Sequence, residues 1–294
     1  MYWQTSRFQI DLTRPRVMGI VNITPDSFSD GGLNATTRDA VACCERLLAD
    51  GAHMLDLGAE STRPGAPPLS RQQELARLLP VLCEAVKLGV PVSVDTYKPA
   101  VMRAALDSGA DIINDIWALR QPATPDCPSA QTVVAQHPQC GVCLMHMHRD
   151  PQTMQVRPMQ GDVLSQVVEF LQQQSEYLQA LGVEKSRIVV DPGIGFGKSP
   201  EQNLHLLAHQ RDLLPLGLGV LAGWSRKSTL GHIIGDGGAA APRQLVAEGR
   251  LIPSVVAAVM AAQQGAHVVR VHDVRETCQA LAVWQAVESQ RAEG

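Results

Sequence analysis

The chain has no excess of basic charge. Its 25 lysines and arginines stand against 29 aspartates and glutamates, a formal net charge of −4. That balance gives no electrostatic footprint for nucleic acid. Long apolar runs are missing as well. The longest, residues 255–262, is too short to cross a bilayer, so no membrane partner is expected. Residues 1–11 mix Gln, Arg and Asp and lack the apolar core of a secretion signal, which points to the cytoplasm. Low-complexity sequence is scarce and 45% of the residues are apolar, which excludes a disordered chain. The seven cysteines are odd in number and fit free thiols in a reducing compartment better than a disulfide framework. Cys140-x-x-Cys143 lacks both a second Cys pair and a His pair at zinc-finger spacing. Cys143 also sits inside an apolar run, so buried, inert thiols are expected there.

Short apolar runs alternate with helical patterns along the whole length. The runs cover residues 17–23, 53–57, 92–95, 112–114, 142–145, 188–191, 218–222 and 268–271. They are continuously apolar rather than alternating, as parallel strands buried on both faces are. Between them, Leu75, Leu78, Leu79, Leu82 and Val86 share one helical face behind a Ser70/Gln73 capping box. Leu164, Val167, Val168, Leu171, Leu178 and Leu181 make a second stripe, and Asp273 with Glu276 resembles a box opening a helix to about Ser289. Eight strand–helix units predict an α/β fold, a single (β/α)8 TIM barrel spanning 1–294, with its active site at the C-terminal ends of the strands. A doubly wound sheet would carry a glycine-rich dinucleotide turn after the first strand, and none is present. A Gly/Ala/Pro stretch at 235–242 reads as a mobile loop before the seventh helix.

Position is the informative feature of the polar residues. Asn22, Asp56, Asp95, Asn114, His146, Asp191, Lys227, Arg270 and His272 fall at or just beyond strand ends, which converge on one mouth of a barrel. Capping of the next helix explains one or two such residues, not one at every strand. Arg63, Lys227, Arg270 and His272 come from three loops and could clamp a phosphate or diphosphate, with serine hydroxyls and backbone amides at the start of the helix after Ser228 adding donors. Asp95, Asn114 and Asp191 can meet the ring N–H groups and exocyclic amine of a planar, nitrogen-rich ring. The same carboxylates could instead form an acid/base couple or cap helices, and spacing alone leaves these readings open. Asn22 is a neutral oxygen donor suited to a hydrated Mg2+ bridged to substrate phosphate, or else an amide bonding its own loop. Two motifs lead nowhere. Gly195-x-Gly197-Lys198-Ser199 ends like a phosphate-binding loop, but the first glycine of that motif falls on Pro192. His146-x-His148 has no third ligand at a metal-binding spacing.

These stretches occur in order: Met18-Gly19-Ile20-Val21-Asn22-Ile23-Thr24-Pro25-Asp26-Ser27-Phe28-Ser29-Asp30-Gly31-Gly32, Asp56-Leu57-Gly58-Ala59-Glu60-Ser61-Thr62-Arg63-Pro64, Ser93-Val94-Asp95-Thr96, Ile113-Asn114-Asp115, Met145-His146-Met147, Asp191-Pro192-Gly193-Ile194-Gly195-Phe196-Gly197-Lys198, Ser225-Arg226-Lys227-Ser228 and Arg270-Val271-His272-Asp273. Together they resemble the dihydropteroate synthase family, the sulfonamide targets of folate biosynthesis. The resemblance implies condensation of (7,8-dihydropterin-6-yl)methyl diphosphate with p-aminobenzoate, with Mg2+ as cofactor and a homodimer as the assembly. It implies that Asp95, Asn114, Asp191 and Lys227 hold the pterin beside Met145 and Phe196, and that Asn22 carries Mg2+. Arg63, Arg270 and His272 would hold the diphosphate, and Phe28, Thr62, Pro64 and Ser228 would line the p-aminobenzoate side. Lys227, Asp95, Arg270 and His272 would carry the chemistry. The apolar helix at 253–262 could serve a dimer interface, although core burial is its more ordinary reading. Two departures stand out. His148-Arg149 makes the loop after the fifth strand more basic than in many relatives, and the proline-bearing segment 121–139 reads as a lengthened rim loop. A barrel moving a methyl group from a methylated folate to a corrinoid protein would share the acidic ring-binding residues without needing the diphosphate clamp. A non-catalytic pterin-binding paralogue would be marked by loss of Lys227, Asn22 or Arg270, and all three are present.

Overall fold

The computed structural model describes residues 1–23, 32–60, 68–150, 153–154, 157–235 and 249–292, with side chains left out at 32–36 and 292. The chain opens on an antiparallel hairpin, β1 (Tyr2–Gln4) and β2 (Gln9–Asp11). Eight parallel strands then close into a barrel: β3 (Arg16–Asn22), β4 (Met54–Gly58), β5 (Val92–Asp95), β6 (Ile112–Asp115), β7 (Gly141–Met145), β8 (Ile188–Asp191), β9 (Gly219–Ala222) and β10 (Val268–Val271). Neighbours in the barrel are neighbours in sequence, and β10 closes onto β3. Each apolar run of the sequence lands on its strand to within one residue at either end. Helices α1 (Gly32–Ala49), α2 (Arg71–Ala85), α3 (Pro99–Asp107), α4 (Ala130–Gln136), α5 (Val163–Ala180), α6 (Pro200–Ala208), α7 (Ser228–Ile234), α8 (Leu251–Gln263) and α9 (Val274–Ala292) occupy the crossovers.

The helix signals act through local chemistry. Ser70 accepts from the Gln73 amide while the Gln73 side chain reaches back to Ser70, so both halves of the capping box form at α2. At α9 the Asp273 carboxylate takes another partner, with Arg226 Nη2 donating to it at 2.6 Å. The segment 121–139 is not all rim loop. Ser129 caps α4 within it, and Thr124 and Cys127 form an isolated bridge ahead of that helix. The periodic face of α4 is only seven residues long, too short to stand out among four prolines. The stretch 236–242 lies outside the described residues.

The β3–β10 side chains alternate between the helix layer and the barrel interior. Met18, Met54, Ile112, Cys143, Val189, Leu221 and Val268 point inward and form one cluster with Trp3, Ile10 and Leu12 of the hairpin. The hairpin therefore plugs the N-terminal end of the barrel. Its three-residue strands carry no apolar run, which is why the sequence reading passes over them. Trp3 is fully buried and its indole N–H donates to the Arg187 carbonyl at 2.9 Å. The Arg7 guanidinium pairs with buried Asp111 at 2.6 Å and donates to the Val86 and Val90 carbonyls. Trp3→Ala should lower unfolding stability by about 3–5 kcal/mol, because a large ring leaves a closed end that cannot collapse. Urea unfolding at neutral pH checks this, and a change below about 1 kcal/mol would show that the plug is dispensable.

Candidate active site

At the opposite end the inward positions turn polar. Asp56 lies opposite Ile20 and Ser93 in the ladder, and Asp95 lies opposite Gly58 and Asn114. Arg270 enters from β10 and forks between two carboxylates. Its Nε donates to Asp56 Oδ2 at 2.6 Å and its Nη2 to Asp95 Oδ2 at 2.8 Å. Asn114 Nδ2 donates to the same Asp56 oxygen at 3.2 Å. Asp56 is fully buried and its second oxygen has no hydrogen-bond partner among the described residues. Burial works against the Arg270 charge, yet Asp56 and Asp95 more than offset it and lift Arg270 above its ordinary value. Asp95 is pushed above the usual carboxylate range by burial, against the pull of Arg270. Arg270 is thus held between the Asp56 and Asp95 carboxylates in this structure.

Asp191, at the end of β8, accepts from the Gly193 amide at 2.7 Å. Burial raises its pKa, while that bond and the charges of Lys227, Lys198 and Arg270 pull the other way. Just beyond it the β7 and β8 loops meet. A Cβ on Gly193 would stand 1.8 Å from the His146 carbonyl oxygen, and Gly193 sits at φ +70°, so only glycine serves there. Phe196 and Met145 pack with Ile116, Met147 and Met154 in a separate apolar cluster beside the mouth. Lys227 Nζ lies 4.4 Å from the centroid of the Phe196 ring. On the other side Asn22 and His272 approach, with Asn22 Nδ2 3.5 Å from His272 Nε2. Ser225 Oγ holds the other ring nitrogen at 2.9 Å and accepts from the His272 amide at 3.2 Å. Ser228 opens α7 and is exposed.

The structure therefore gathers Asp95, Asn114, Met145, Asp191, Phe196, Lys227, Arg270, His272 and Asn22 around one mouth. Phe28, Thr62, Arg63 and Pro64 lie outside the described residues. Sequence reasoning met three further residues without giving them a role in the site. Asp56 is the shared acceptor of Arg270 and Asn114, and its signal was an acid two residues after Met54 on an otherwise apolar strand. Ser225 orients His272. Lys198 is buried among backbone carbonyls, which removes it from phosphate chemistry as the failed loop motif implied. Cys143 lies inside the barrel, and burial, with the carboxylates of Asp191, Asp56 and Asp95, raises its thiol well above the ordinary value. Cys140 is buried against Arg187. Neither thiol is reactive.

His146 lies beyond β7, not on it, and packs edge-on to Phe170 at a centroid distance of 5.0 Å. Burial holds its ring neutral, down to about 2, with the Lys198 charge adding to the effect. An unfolded histidine titrates near 6.5. Below that value the unfolded chain takes up a proton that folded His146 refuses. Its contribution to stability is present above pH 6.5 and is lost as pH falls, by about 1.4 kcal/mol per pH unit. Urea midpoints should decline from pH 7 to 5, and less steeply in His146→Gln. Parallel profiles for the two proteins would refute this.

The comparisons agree with this geometry. Residues 18–272 match the family model described as pterin binding enzyme. The dihydropteroate synthase of Neisseria meningitidis serogroup B is 43% identical over 290 residues, covering 97% of each chain. That of Escherichia coli K12 is 42% identical over 282 residues, covering 95% of this chain and 94% of the relative. Among solved structures, the Burkholderia cenocepacia dihydropteroate synthase complexed with 7,8-dihydropteroate superposes with a TM-score of 0.85 at 44% identity, covering 100% of this chain and 98% of that one. The Yersinia pestis dihydropteroate synthase in a sulfonamide drug complex gives 0.88 at 41% identity, covering 98% and 100%. With a closed eight-stranded barrel, an acidic mouth and relatives of this identity along nearly the whole chain, the protein belongs to the dihydropteroate synthase family of pterin-binding enzymes.

Proposed function

We propose that this barrel mouth joins (7,8-dihydropterin-6-yl)methyl diphosphate to p-aminobenzoate, releasing diphosphate and forming 7,8-dihydropteroate, by a dissociative displacement. The observation that carries the reading is the convergence of Asp95, Asn114, Asp191 and Arg270 on one floor beside the Phe196–Lys227 pair. Acceptors and an amide in that arrangement suit the ring N–H groups and exocyclic amine of a pterin. Met145 and Phe196 offer an apolar wall to its flat face. The carbon–oxygen bond from the exocyclic CH2 to diphosphate breaks as positive charge builds on that carbon. The electron-rich ring, held by carboxylates, stabilises it. Lys227 and His272, with Arg63 from the β4 loop, meet the negative charge that grows on the leaving group. The aryl amine is neutral and nucleophilic near pH 7, so its nitrogen forms the new bond without an essential general base and loses its proton afterwards.

Asn22 fits a hydrated Mg2+. Its side chain offers one hard oxygen, and among the described residues no group of three or more His, Cys, Asp or Glu could cage a metal. That donor set suits an ion that keeps its waters and takes its remaining ligands from substrate phosphate. When bound, the ion would neutralise diphosphate charge. We read the protein as cytoplasmic, which its seven free cysteines support. No described helix is long and apolar enough to cross a membrane. It is read as a homodimer: α8 buries Ala257, Ala258, Ala261 and Ala262 but leaves Ile252, Val256 and Met260 exposed in an apolar stripe on the opposite face. The test is diphosphate release from the pterin substrate with and without p-aminobenzoate, before and after chelation of Mg2+. Release that needs both is expected. Pterin binding without any release would overturn the reading.

A further inference from the structure

Lys198 is only 3% exposed, and four acceptors surround its Nζ. They are His146 Nδ1 at 2.9 Å and the carbonyl oxygens of Gly193 at 2.9 Å, Phe196 at 3.2 Å and His146 at 3.3 Å. An ammonium carries three N–H donors and accepts nothing, so it can satisfy such a cage only if the imidazole is unprotonated. Burial keeps it so. Burial also draws Lys198 itself down to about 7, with Asp191 opposing the change. The acceptors belong to two different loops, one after β7 and one after β8. Lys198 Nζ therefore ties the two loops together as a buried donor. The β8 loop needs such a tie. Gly193, Gly195 and Gly197 all adopt left-handed φ, at 70°, 83° and 72°, conformations that glycine reaches without strain but does not by itself hold.

A second buried side chain continues the tie. Asn203 is 1% exposed. Its Oδ1 accepts from the Gly195 amide at 2.9 Å, and its Nδ2 donates to Thr229 Oγ1 at 2.9 Å and to the Lys198 carbonyl at 3.4 Å. Thr229 stands two residues after Lys227 on α7. The stem of Lys227 in turn passes Gly195 so closely that a Cβ there would lie 3.4 Å from Lys227 Cδ. One continuous buried network thus runs from His146 through Lys198, the glycine loop and Asn203 to the start of α7. Phe196 rides on that loop and Lys227 on that helix start.

We propose that Lys198 and Asn203 are positioning residues for the pterin shelf, setting Phe196 against Lys227 without touching a reacting atom. The inference rests on the pterin reading of this mouth. A bland alternative is that both merely hold the fold together, and it predicts a different pattern of losses. A misplacement on the ångström scale near a reacting centre can cost on the order of 100-fold in rate or binding.

The experiment compares Lys198→Met, Asn203→Ala and Asn203→Asp with the unmodified protein. Melting temperature, calorimetric Kd for 6-hydroxymethylpterin, and KM for each substrate are measured. Wild-type turnover tests the pterin reading itself, and its absence would sink that reading separately. Given turnover, Lys198→Met and Asn203→Ala should raise the pterin Kd by about tenfold to 100-fold, while KM for p-aminobenzoate at saturating pterin substrate moves by less than about threefold. Asn203→Asp still accepts from the Gly195 amide and from a rotated Thr229 hydroxyl, and should return the Kd to within about threefold of wild type. If Lys198→Met does not fold, the Asn203 pair decides. A pterin Kd unchanged within about twofold in Asn203→Ala overturns the proposal. So does a loss that falls equally on both substrates and tracks the drop in melting temperature.

Discussion

Arg270→Met should abolish turnover, by a factor on the order of 1,000 or more, and should also destabilise the folded protein by about 3–5 kcal/mol. The two effects have one origin. Arg270 lies between Asp56 and Asp95, and Asp56 is fully buried with one oxygen lacking a partner among the described residues. Removing the guanidinium strips the other oxygen of its 2.6 Å donor and leaves only Asn114 at 3.2 Å. A carboxylate in that position is an uncompensated buried charge, which is far more costly than an absent ion pair at a surface. The double variant Arg270→Met with Asp56→Asn separates the two consequences. Neutralising Asp56 should recover at least about 1.5 kcal/mol of the lost stability, because the two residues share one network. Activity should not return, since the floor under the ring would still lack its cation. Chemical unfolding read beside diphosphate release checks both. Additive stabilities in the double variant would mean that the pair is not coupled, and full turnover in Arg270→Met would remove Arg270 from the chemistry.

The fold was legible because its signal is repeated. Eight apolar runs, each three to seven residues long, can hardly be produced by anything other than strands buried on both faces, and their spacing leaves room for one helix each. What escaped was short or local. The hairpin that closes the barrel bottom has three-residue strands, and its burial depends on one tryptophan and on Arg7 reaching Asp111 across the sequence. Helix α4 hides among prolines because seven residues give barely two turns of periodicity.

The candidate site was legible to the depth at which one side chain carries one role. Asp95, Asn114, Asp191 and Arg270 stand out as polar residues closing apolar strands. The relations between them do not. No spacing says that Arg270 reaches across the barrel to Asp56, because Asp56 and Arg270 are 214 residues apart and meet only through closure. Nor does any spacing say that a lysine near the end of a glycine-rich loop turns inward onto carbonyl oxygens. Lys198 closes a motif that only ends like a phosphate-binding loop, and in the fold its Nζ donates inward to backbone carbonyls. The acid at Asp273 shows the same limit on a smaller scale: the pattern promises a helix cap, and tertiary contact with Arg226 claims the carboxylate.

Lys227→Met should lower kcat by a factor on the order of 100 to 1,000, and Lys227→Arg should recover part of that loss. In the resting site Lys227 lies over the Phe196 ring and feels the Asp191 charge. A cation–π contact contributes about 0.5–2 kcal/mol, too little to explain a large kinetic effect by its removal alone. If the ammonium only holds the pterin ring, substrate and transition state lose equally, KM rises and kcat stays within about threefold. If it meets charge growing on the departing diphosphate, the interaction is strongest where the bond is nearly broken, and kcat falls. The guanidinium in Lys227→Arg supplies charge but not the same reach past Gly195, so recovery should be partial. Steady-state kinetics at saturating p-aminobenzoate, with diphosphate release as the readout, distinguishes the two. A rise in KM alone would restrict Lys227 to binding the ring, and the stabilising of the leaving group would then fall to His272 and Arg63.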